Sequence, residues 1–453
     1  SVRLIADYTS RKEECCAATY VDGTVNQFIG NLNTPSAVGV ASTATSNNII
    51  NVLRDLGQPL AAFNQGYGRN ISVSANRVFT GETKDYGFSG QIDYDFGGAT
   101  LTSITAYRQY RSGQASDTDY GEVDILYRAP SDDAYRQFHT FTQELRLQGE
   151  AFGGKLDWLV GGFFANEKLT VRDNLRFGNQ YGRFANCRII SGGGLAFAYN
   201  PTAQSCITPS LRPTVSGALG AAGPLIVSAF DRLDTMNNVG TTNDRYFQNG
   251  TNWALFTHNI VHITDTVNLT LGLRYTQDKK KFDATFGNDN SICTANQAAL
   301  ASLLTTPAAA TAGAVIGLSC QGNSTAELNG VSIRDDRNED QITGTAILSW
   351  KPIDDLLLYT SFARGYKAGG FNLDRSALKS PVPTFASLGG AQALVGNLQF
   401  DPELVDSYEL GAKFSNGPFG LSVSAFRSDF SSFQLNTFNG TVFLVQNVNG
   451  CDN

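Results

Sequence analysis

The residues best suited to binding chemistry are arginine and tyrosine side chains that share one long polar stretch. They are Arg172, Arg176, Tyr181, Arg183 and Arg188. A guanidinium group binds anions through charge-assisted and often bidentate hydrogen bonds. The mixture of guanidinium and aromatic groups therefore predicts a site for an anionic or catecholate ligand, although arginines are also common in long loops generally.

The three histidines, His139, His258 and His262, do not predict a metal site. His258 and His262 share one face of a predicted strand, but four residues at about 3.3 Å each separate them by about 13 Å. That distance is too long for both to coordinate one ion. We therefore expect no metal and no resident cofactor, and we expect these histidines to line a pore or lie at an interface.

No motif of an enzyme is present. The sequence has no glycine-rich phosphate loop ending in Lys-Ser/Thr, no Gly-x-Ser-x-Gly elbow and no two-histidine zinc helix. Its carboxylate pairs, such as Asp132-Asp133 and Asp335-Asp336, fall in predicted loops, where acidic pairs are usually solvated. The sequence therefore predicts a protein that is not an enzyme.

Composition favours an all-β chain that does not bind nucleic acid. There are 41 acidic and 34 basic residues, which give a formal charge of -7 and a pI near 5.1. A nucleic-acid-binding surface would require an excess of basic residues. The 46 glycines, 29 phenylalanines and 17 tyrosines, with a single methionine, suit twisted strands and aromatic belts rather than packed helices.

The candidate binding groups must be positioned by strands that have one apolar face and one polar face. The clearest strand has Val267, Leu269, Leu271, Leu273 and Tyr275 on one face and Asn268, Thr270, Gly272, Arg274 and Thr276 on the other. This period of two is typical of a β-strand. Each predicted arm has about ten residues, enough for a tilted strand to cross a bilayer. Trp350 and Tyr359 flank one predicted turn, where interfacial aromatic residues are expected.

Roughly twelve predicted strands are joined by connections that alternate strictly between short and long. The short turns lie near Gly97, Gly153, Asp265, Asp354 and Gly417. Successive turns of an up-and-down barrel fall on opposite rims, and outer-membrane barrels keep their long loops outside. The alternation predicts a transmembrane antiparallel up-and-down β-barrel. The sequence does not show which face of the Ala99–Arg111 strand is apolar.

Several charged residues are expected on the inner face of this barrel. They are Glu144, Arg146, Arg274, Glu409 and Lys413. Because the interior of such barrels is polar, we interpret them as a lining of the lumen rather than as an acid/base pair. The apolar run from Ala298 to Leu318 is interrupted by Pro307 and several hydroxyl residues, so we expect loop structure there and not a spanning helix.

The seven cysteines all fall in long connections or at the chain end, which would be oxidising surroundings outside a cell. Cys187 and Cys206 lie within one loop, and Cys293 and Cys320 lie within another. We therefore predict these two bridges. For Cys15, Cys16 and Cys451 a vicinal bridge and a bridge from one of the pair to Cys451 both remain open.

Several segments resemble the barrel of TonB-dependent outer-membrane receptors, especially a subgroup abundant in proteobacteria such as sphingomonads. They are TQELRLQGE (Thr142–Glu150), LDWLVGGFF (Leu156–Phe164), TLGLRYTQDKKKF (Thr270–Phe282), LLYTSFARGYKAGGFN (Leu357–Asn372), PELVDSYELGAKF (Pro402–Phe414) and AFRSDFSSFQLNTFNG (Ala425–Gly440). The resemblance implies a receptor of about 22 strands in the outer membrane of a Gram-negative bacterium, with extracellular long loops and an N-terminal plug. It also implies ligand import energised by TonB and its inner-membrane complex.

Two functions follow from this resemblance and stay open. The first is TonB-energised import of a scarce nutrient, with a ferric siderophore as the expected ligand. The second is a passive pore or surface-binding scaffold in the outer-membrane lipid without energy coupling. We expect residues 1–453 to be part of one barrel domain, without the plug and the final strands that the resemblance implies. Nucleic acid is not an expected partner.

Overall fold

The computed structural model describes residues 1–14, 49–59, 71–113, 115–129, 133–192, 194–240, 242–287, 289–320, 329–378, 398–438 and 443–448. Its main element is an antiparallel sheet of eleven strands: β1 (Val2–Glu14), β2 (Thr80–Asp95), β3 (Ala99–Gly113), β6 (Tyr135–Ala151), β7 (Leu156–Asp173), β9 (Asp244–Thr264), β10 (Val267–Thr285), β11 (Ser332–Ile353), β12 (Leu356–Lys367), β15 (Glu403–Asn416) and β16 (Phe419–Ser431). Short strands complete the set: β4 (Ser116–Asp117), β5 (Leu126–Arg128), β8 (Arg176–Phe177), β13 (Gly370–Phe371), β14 (Gln399–Phe400), β17 (Phe433–Phe438) and β18 (Phe443–Val448).

The eleven strands follow one another through the sheet in chain order, so each hairpin packs beside the next. The register pairs Ala99 with Gly149, Leu156 with Val261, Val267 with Trp350, and Leu356 with Phe414. These pairs bring the five short turns to one edge of the sheet, the short-turn rim. The strand ends that the long connections join lie at the opposite edge, the long-loop rim. The predicted sorting of short and long connections is confirmed.

The sheet has an apolar outer face and a polar lumen face. Leu271 and Leu273 are 43% and 56% exposed on the outer face, whereas Arg274 and Thr276 lie on the other. An exposed leucine row beside a polar row is the pattern of strands that face lipid on one side. This pattern supports the predicted membrane-barrel class.

The register also shows which residues of β3 and β12 lie on each face of the sheet. The sequence pattern left the facing of β3 open and assigned Tyr359 of β12 wrongly. In β3, Leu101 pairs with Leu147 on the outer face, while Ile104 lies on the lumen face beside Glu144, so neither face is uniformly apolar. Trp350 is on the outer face as expected. Tyr359 pairs with Ser349 and lies on the lumen face, so the expectation that it lies at the membrane interface is wrong. It belongs to a continuous leucine run, which has no period to indicate its face.

Helices occur only in the long connections, as far as the structure describes the chain. The α-helices are α1 (Ile49–Asp55), α2 (Tyr181–Ser191), α3 (Arg212–Ala218), α4 (Gly223–Asp234), α5 (Ser291–Leu300) and α6 (Ala309–Ser319). Short 3-10 turns cover Ala196–Ala198, Gln204–Cys206, Pro209–Leu211, Gly220–Ala222, Ala301–Thr305 and Arg375–Leu378. The apolar run from Ala298 to Leu318 is therefore two short helices joined by a turn. Among the residues that are described, no helix has both the length and the apolar character needed to cross a membrane.

Candidate ligand-binding site at the long-loop rim

Helices from three separate connections fold together into one body, which we name the helical cap and define as α1 to α6. Val52 of α1, Phe230 of α4 and Ile316 of α6 belong to the same buried cluster. Each of these side chains is almost completely removed from solvent. Burial of such apolar surface is the main term that stabilises a small folded unit. Segments far apart in sequence thus form a single folded surface at the long-loop rim.

Two disulfide bridges lie inside the helical cap. Cys187 of α2 is bonded to Cys206, with their Cα atoms 5.1 Å apart, and Cys293 of α5 is bonded to Cys320, with their Cα atoms 4.8 Å apart. These are the two pairs that the sequence predicts. Cys15, Cys16 and Cys451 lie outside the described residues. The bridges restrict how far the helices of each loop can separate.

Asp124, in the connection between β3 and β6, bonds chain segments that flank the cap. Its carboxylate accepts a hydrogen bond from Arg77 Nη2 at 2.6 Å and another from the backbone N–H of Asn179 at 2.8 Å. The guanidinium carbon of Arg77 lies 3.6 Å from the ring centroid of Tyr127. Beside this contact, β4, β5 and β8 form a small sheet that joins two connections. The cap is therefore held to the rim by charge-assisted bonds and backbone pairing.

Asp119, in the same connection, is a second organising carboxylate. It accepts backbone hydrogen bonds from Leu126 at 2.6 Å, Ile125 at 3.0 Å and Gly121 at 3.1 Å. Burial raises the pKa of Asp119 to about 7, although the backbone bonds oppose that rise. The group is thus placed to change its charge near neutral pH.

The mouth of the lumen holds an aromatic cluster with a buried ion pair. Phe282 and Phe371 stack with their ring centroids 4.7 Å apart, and Tyr246 packs beside them. Arg375 and Asp244, which are 1% and 2% exposed, form an ion pair with Arg375 Nε 3.2 Å from an Asp244 oxygen. The Tyr246 hydroxyl donates to the same carboxylate at 3.1 Å. Sequence analysis missed this pair because Asp244 begins β9 and Arg375 lies far along the chain in the connection between β12 and β15, with no shared motif.

Two of the five predicted ligand residues are held in ion pairs. Arg172 contacts Asp133 at 2.5 Å. Arg183 of α2 makes two bonds to the Asp234 carboxylate, at 2.9 and 3.0 Å, and a third to the Pro201 carbonyl oxygen at 3.3 Å. These contacts neutralise both guanidinium groups. Their charges stabilise the loop structure and are not available to an anion unless the pairs break.

Tyr181 belongs to the core of the cap. Its side chain is fully buried, its ring centroid lies 4.0 Å from that of Phe177, and its hydroxyl donates to the Leu318 carbonyl oxygen at 2.6 Å. A ligand at the surface cannot reach it. The sequence could not separate a core tyrosine from a binding tyrosine, because both occur in the same polar stretch.

Arg176 and Arg188 differ from the other members of the set. In the described part of the chain, neither forms an ion pair with a carboxylate. Arg188 lies 5.9 Å from the ring centroid of Phe184, and its buried Nε has no hydrogen-bond acceptor among the described residues. Burial lowers the pKa of Arg188 because part of its hydration is lost. These two are the members of the predicted arginine set whose charge no described carboxylate neutralises.

The lumen face carries the polar lining that the sequence predicts. Arg146 pairs with Glu144 at 3.2 Å. The Tyr359 hydroxyl donates to Glu409 at 2.5 Å, and Lys413 Nζ lies 5.5 Å from the centroid of the same ring. Arg274 lies between Phe163 and Phe256, with both ring centroids 5.6 Å from its guanidinium carbon. It lines a cavity of about 260 Å³ together with Asp278 and Tyr366.

The histidines are engaged in separate contacts and share no ligand geometry. His262 bonds Asp157 at 3.0 Å and Asn268 at 2.9 Å. His139 lies 3.0 Å from the Tyr107 hydroxyl, on the outer face. No group of three or more potential metal ligands occurs among the described residues.

Long paired strands with an apolar outer face, a polar lumen face and folded loops collected at one rim define a β-barrel membrane protein. The chain belongs to the family described as TonB dependent receptor-like, beta-barrel, whose profile matches residues 19–452. Members of this family are outer-membrane β-barrels of Gram-negative bacteria. A comparison with curated proteins finds no match.

Similar solved structures include three receptors. The ferric yersiniabactin uptake receptor FyuA from Yersinia pestis is 16% identical, with 79% of this chain and 37% of that chain covered and a TM-score of 0.45. The siderophore receptor PiuA from Acinetobacter baumannii is 15% identical, with 80% and 42% covered and a TM-score of 0.42. The ferric-catecholate import receptor Fiu from E. coli K12, in its closed form, is 11% identical, with 98% and 51% covered and a TM-score of 0.49. The chain spans between 37% and 51% of the length of these structures.

Proposed function

We propose that the complete protein is a receptor that imports a ferric siderophore across the outer membrane with energy relayed by TonB. Membership of the TonB-dependent receptor family supports the transport class. The helical cap supports a ligand that arrives from the long-loop side, because a rigid scaffold carries its binding groups on loops. The ligand chemistry rests on Arg176 and Arg188, which form no ion pair with a carboxylate in the described part of the chain.

The environment of Arg188 is the observation that supports an anionic ligand. Its guanidinium has lost water by burial, which lowers its pKa, and no carboxylate in the described part of the chain replaces that water. An anionic ligand oxygen would restore the lost interactions through charge-assisted hydrogen bonds. Arg176, five residues before the start of α2 at Tyr181, supplies a second guanidinium on the same connection. We therefore assign Arg176 and Arg188 as the anion-contacting residues of the site.

Uptake of radioactive iron by cells that express the full-length gene product tests this function. The probes are ferric complexes of a catecholate, a hydroxamate and citrate, each measured with and without a protonophore. The Arg176→Gln/Arg188→Gln variant is compared with Arg427→Gln, whose side chain is 77% exposed and paired with Asp429 far from the cap. We expect protonophore-sensitive uptake of one anionic complex, and we expect the double variant alone to raise its half-saturating concentration.

Each comparison in this experiment tests a different part of the proposal. Uptake that continues unchanged with the protonophore favours the passive pore. Binding without any uptake favours the surface-binding scaffold. Energy-dependent uptake that is equal in the double variant and in Arg427→Gln removes the two arginines from the site while keeping the transport function.

A further inference from the structure

The connection between β12 and β15 turns inward at the long-loop rim and packs on the lumen face of the sheet. Its described residues are 368–378 and 398–401, which we name the mouth strap. Within the strap, β13 pairs with β14, so that Phe371 lies opposite Gln399. Phe371 stacks on Phe282 of β10, whose side chain is on the same face as Arg274. The strap is therefore inside the mouth of the lumen and not above it.

Apolar contacts and the buried ion pair fasten the tip of the strap to the wall of the lumen. Leu378 and Leu398 are fully buried and belong to one cluster with Ala284 of β10, which is also fully buried. Beside this cluster, Arg375 is paired with Asp244 of β9. Separating a buried ion pair inside the protein would leave each charge without its partner, so this contact resists displacement of the tip.

A second set of contacts, to β11, fastens the base of the strap. Glu339 accepts a hydrogen bond from the backbone N–H of Gly369 at 2.9 Å. Arg337 donates to the Gln399 side-chain oxygen at 2.9 Å and to the Asp401 carboxylate at 3.2 Å. Both described segments of the strap are thus held at the base, independently of the contacts at the tip. A segment fastened at two separate places is a fixed part of the wall.

The strap covers polar groups that would otherwise face the lumen. Lys280 of β10 donates through Nζ to the Gly369 carbonyl oxygen. Ala368 lines the cavity of about 260 Å³ that also contains Arg274 and Asp278. These charged groups of the wall are therefore shared with the strap, and a ligand in the mouth meets the strap before it meets them.

The β17–β18 hairpin supports the strap further. Asn372 donates to the Val445 carbonyl oxygen at 3.0 Å and accepts from the Val445 N–H at 2.8 Å. Gln434 donates to the Ala368 carbonyl oxygen at 3.0 Å. Packed layers of strands lie about 10 Å apart. The strap therefore adds a second layer of about that thickness inside the mouth and narrows the passage in front of β9, β10 and β11.

We propose that the mouth strap is a fixed constriction that selects the complexes this protein imports by their size. This inference rests on the proposed import function. A complex that enters the lumen passes beside the strap, because the strap fills the space in front of one part of the wall. Steric exclusion of the wrong ligand gives specificity that attraction of the right one does not. Arg176 and Arg188 would recognise the anionic groups of a complex, and the strap would limit its bulk.

Uptake of matched plain and bulky complexes by cells that express the full-length gene product tests the constriction. The probes are ferric complexes of a tris-catecholate and a tris-hydroxamate, each with and without an inert oligosaccharide on the chelator. The release variant, Phe371→Ala/Arg375→Ala, removes the two contacts of the tip. The control, Phe419→Ala/Arg427→Ala, removes the same side-chain types from exposed positions of β16. We expect the release variant alone to raise the ratio of bulky to plain uptake about tenfold.

Thiol labelling shows whether the release variant has freed the strap. Ala284→Cys places a thiol on the wall beneath the strap, at a position that is fully buried. Whole cells are treated with a membrane-impermeant maleimide, and the modified peptide is quantified by mass spectrometry. Labelling at this position should be about tenfold faster in the release background than in the control background. Equal labelling in the two backgrounds would show that the strap does not cover this wall, and it would overturn the constriction.

A reversible link distinguishes a fixed constriction from a moving gate. Phe282→Cys/Phe371→Cys is joined by a short bifunctional methanethiosulfonate and compared with wild type given the same reagent. We expect the linked protein to import the plain complex as wild type does. Uptake that is lost on linking and restored by a reductant would show that the strap must move, which would overturn the fixed constriction.

The outcomes separate this inference from the function on which it rests. Import of a plain complex, with an unchanged ratio of bulky to plain uptake in a release variant whose labelling has risen, would overturn the constriction and leave the import function standing. Failure of wild type to import either plain complex with energy would instead remove the import function, and the size selection with it.

Discussion

Removing the disulfide bridges should loosen the helical cap while leaving the sheet intact. The bridges close loops with sequence separations of 19 and 27 residues, and both lie in connections that the membrane sheet does not order. Two variants each remove one bridge. They are Cys187→Ala/Cys206→Ala and Cys293→Ala/Cys320→Ala. Alanine is chosen because these cysteines are buried and a serine hydroxyl there would need a hydrogen-bond partner.

The expected magnitude follows from loop closure in the opened cap. Closing loops of about 20 and 28 residues is worth about 3 to 4 kcal/mol each in the chain-entropy estimate. The free energy of opening the cap should therefore fall by about 3 kcal/mol per bridge, which is more than a hundredfold in the opening equilibrium. The sheet has no bridge among its described strands, so its own opening should not change.

Hydrogen exchange read by mass spectrometry measures both regions in one experiment. Peptides from α2, α4 and α5 should exchange at least tenfold faster in each variant, whereas peptides from β9 and β10 should keep their rates. Wild-type protein treated with a reductant retains the sulfur atoms and serves as the packing control. Protection of the cap that stays within a factor of two of wild type in both variants would refute the loop-closure reasoning.

Three further predictions concern the rim and the mouth of the lumen. Arg375→Ala should cost about 3 to 5 kcal/mol in denaturant unfolding, because it leaves the buried Asp244 carboxylate without its ion pair; an Arg427→Ala control at the exposed pair should cost less than about 1 kcal/mol. Phe282→Ala should cost about 3 to 5 kcal/mol, since the ring is 2% exposed and stacked on Phe371; a change below about 1 kcal/mol would contradict the packing. Burial raises the pKa of Asp119 to about 7 from its ordinary value near 4, so its contribution to stability is complete below pH about 4 and is lost as the pH rises through about 7. Proteolysis of the connection that holds Asp119 should therefore be faster at pH 8 than at pH 6, and Asp119→Asn should remove that difference.

The strands of the membrane band could be predicted because lipid imposes a strict alternation there. In β10 the apolar residues from Val267 to Tyr275 point one way, and the register bears this out. Above the band the alternation has no such cause, since water lies on both faces. β9 begins at Asp244 and β11 begins at Ser332, and no alternation of apolar and polar residues marks either start. Pairing with neighbouring strands, which a single sequence does not display, sets those ends.

The helical cap could not be predicted in detail because its stability comes from contacts between connections. α2 begins at Tyr181, a residue whose hydroxyl donates to the Leu318 carbonyl oxygen of another connection. That contact leaves no local pattern in the sequence. The same reason explains why Tyr181 looked like a ligand residue and Arg375 did not look important. The cysteine pairs were predictable, since each pair is confined to one connection and needs no knowledge of the others.

Ion pairing separates the four candidate arginines into two that hold loops and two that we propose to contact a ligand. Arg183 and Arg172 have carboxylate partners, and their positions are explained by the loops that they hold. Arg188 in the cap has no such partner in the described residues, although its side chain is half-buried. Partial burial of a charge without a partner costs free energy because hydration is lost. A ligand anion at the cap would remove that cost, so the proposed site answers an electrostatic requirement that Arg172 and Arg183 meet with Asp133 and Asp234.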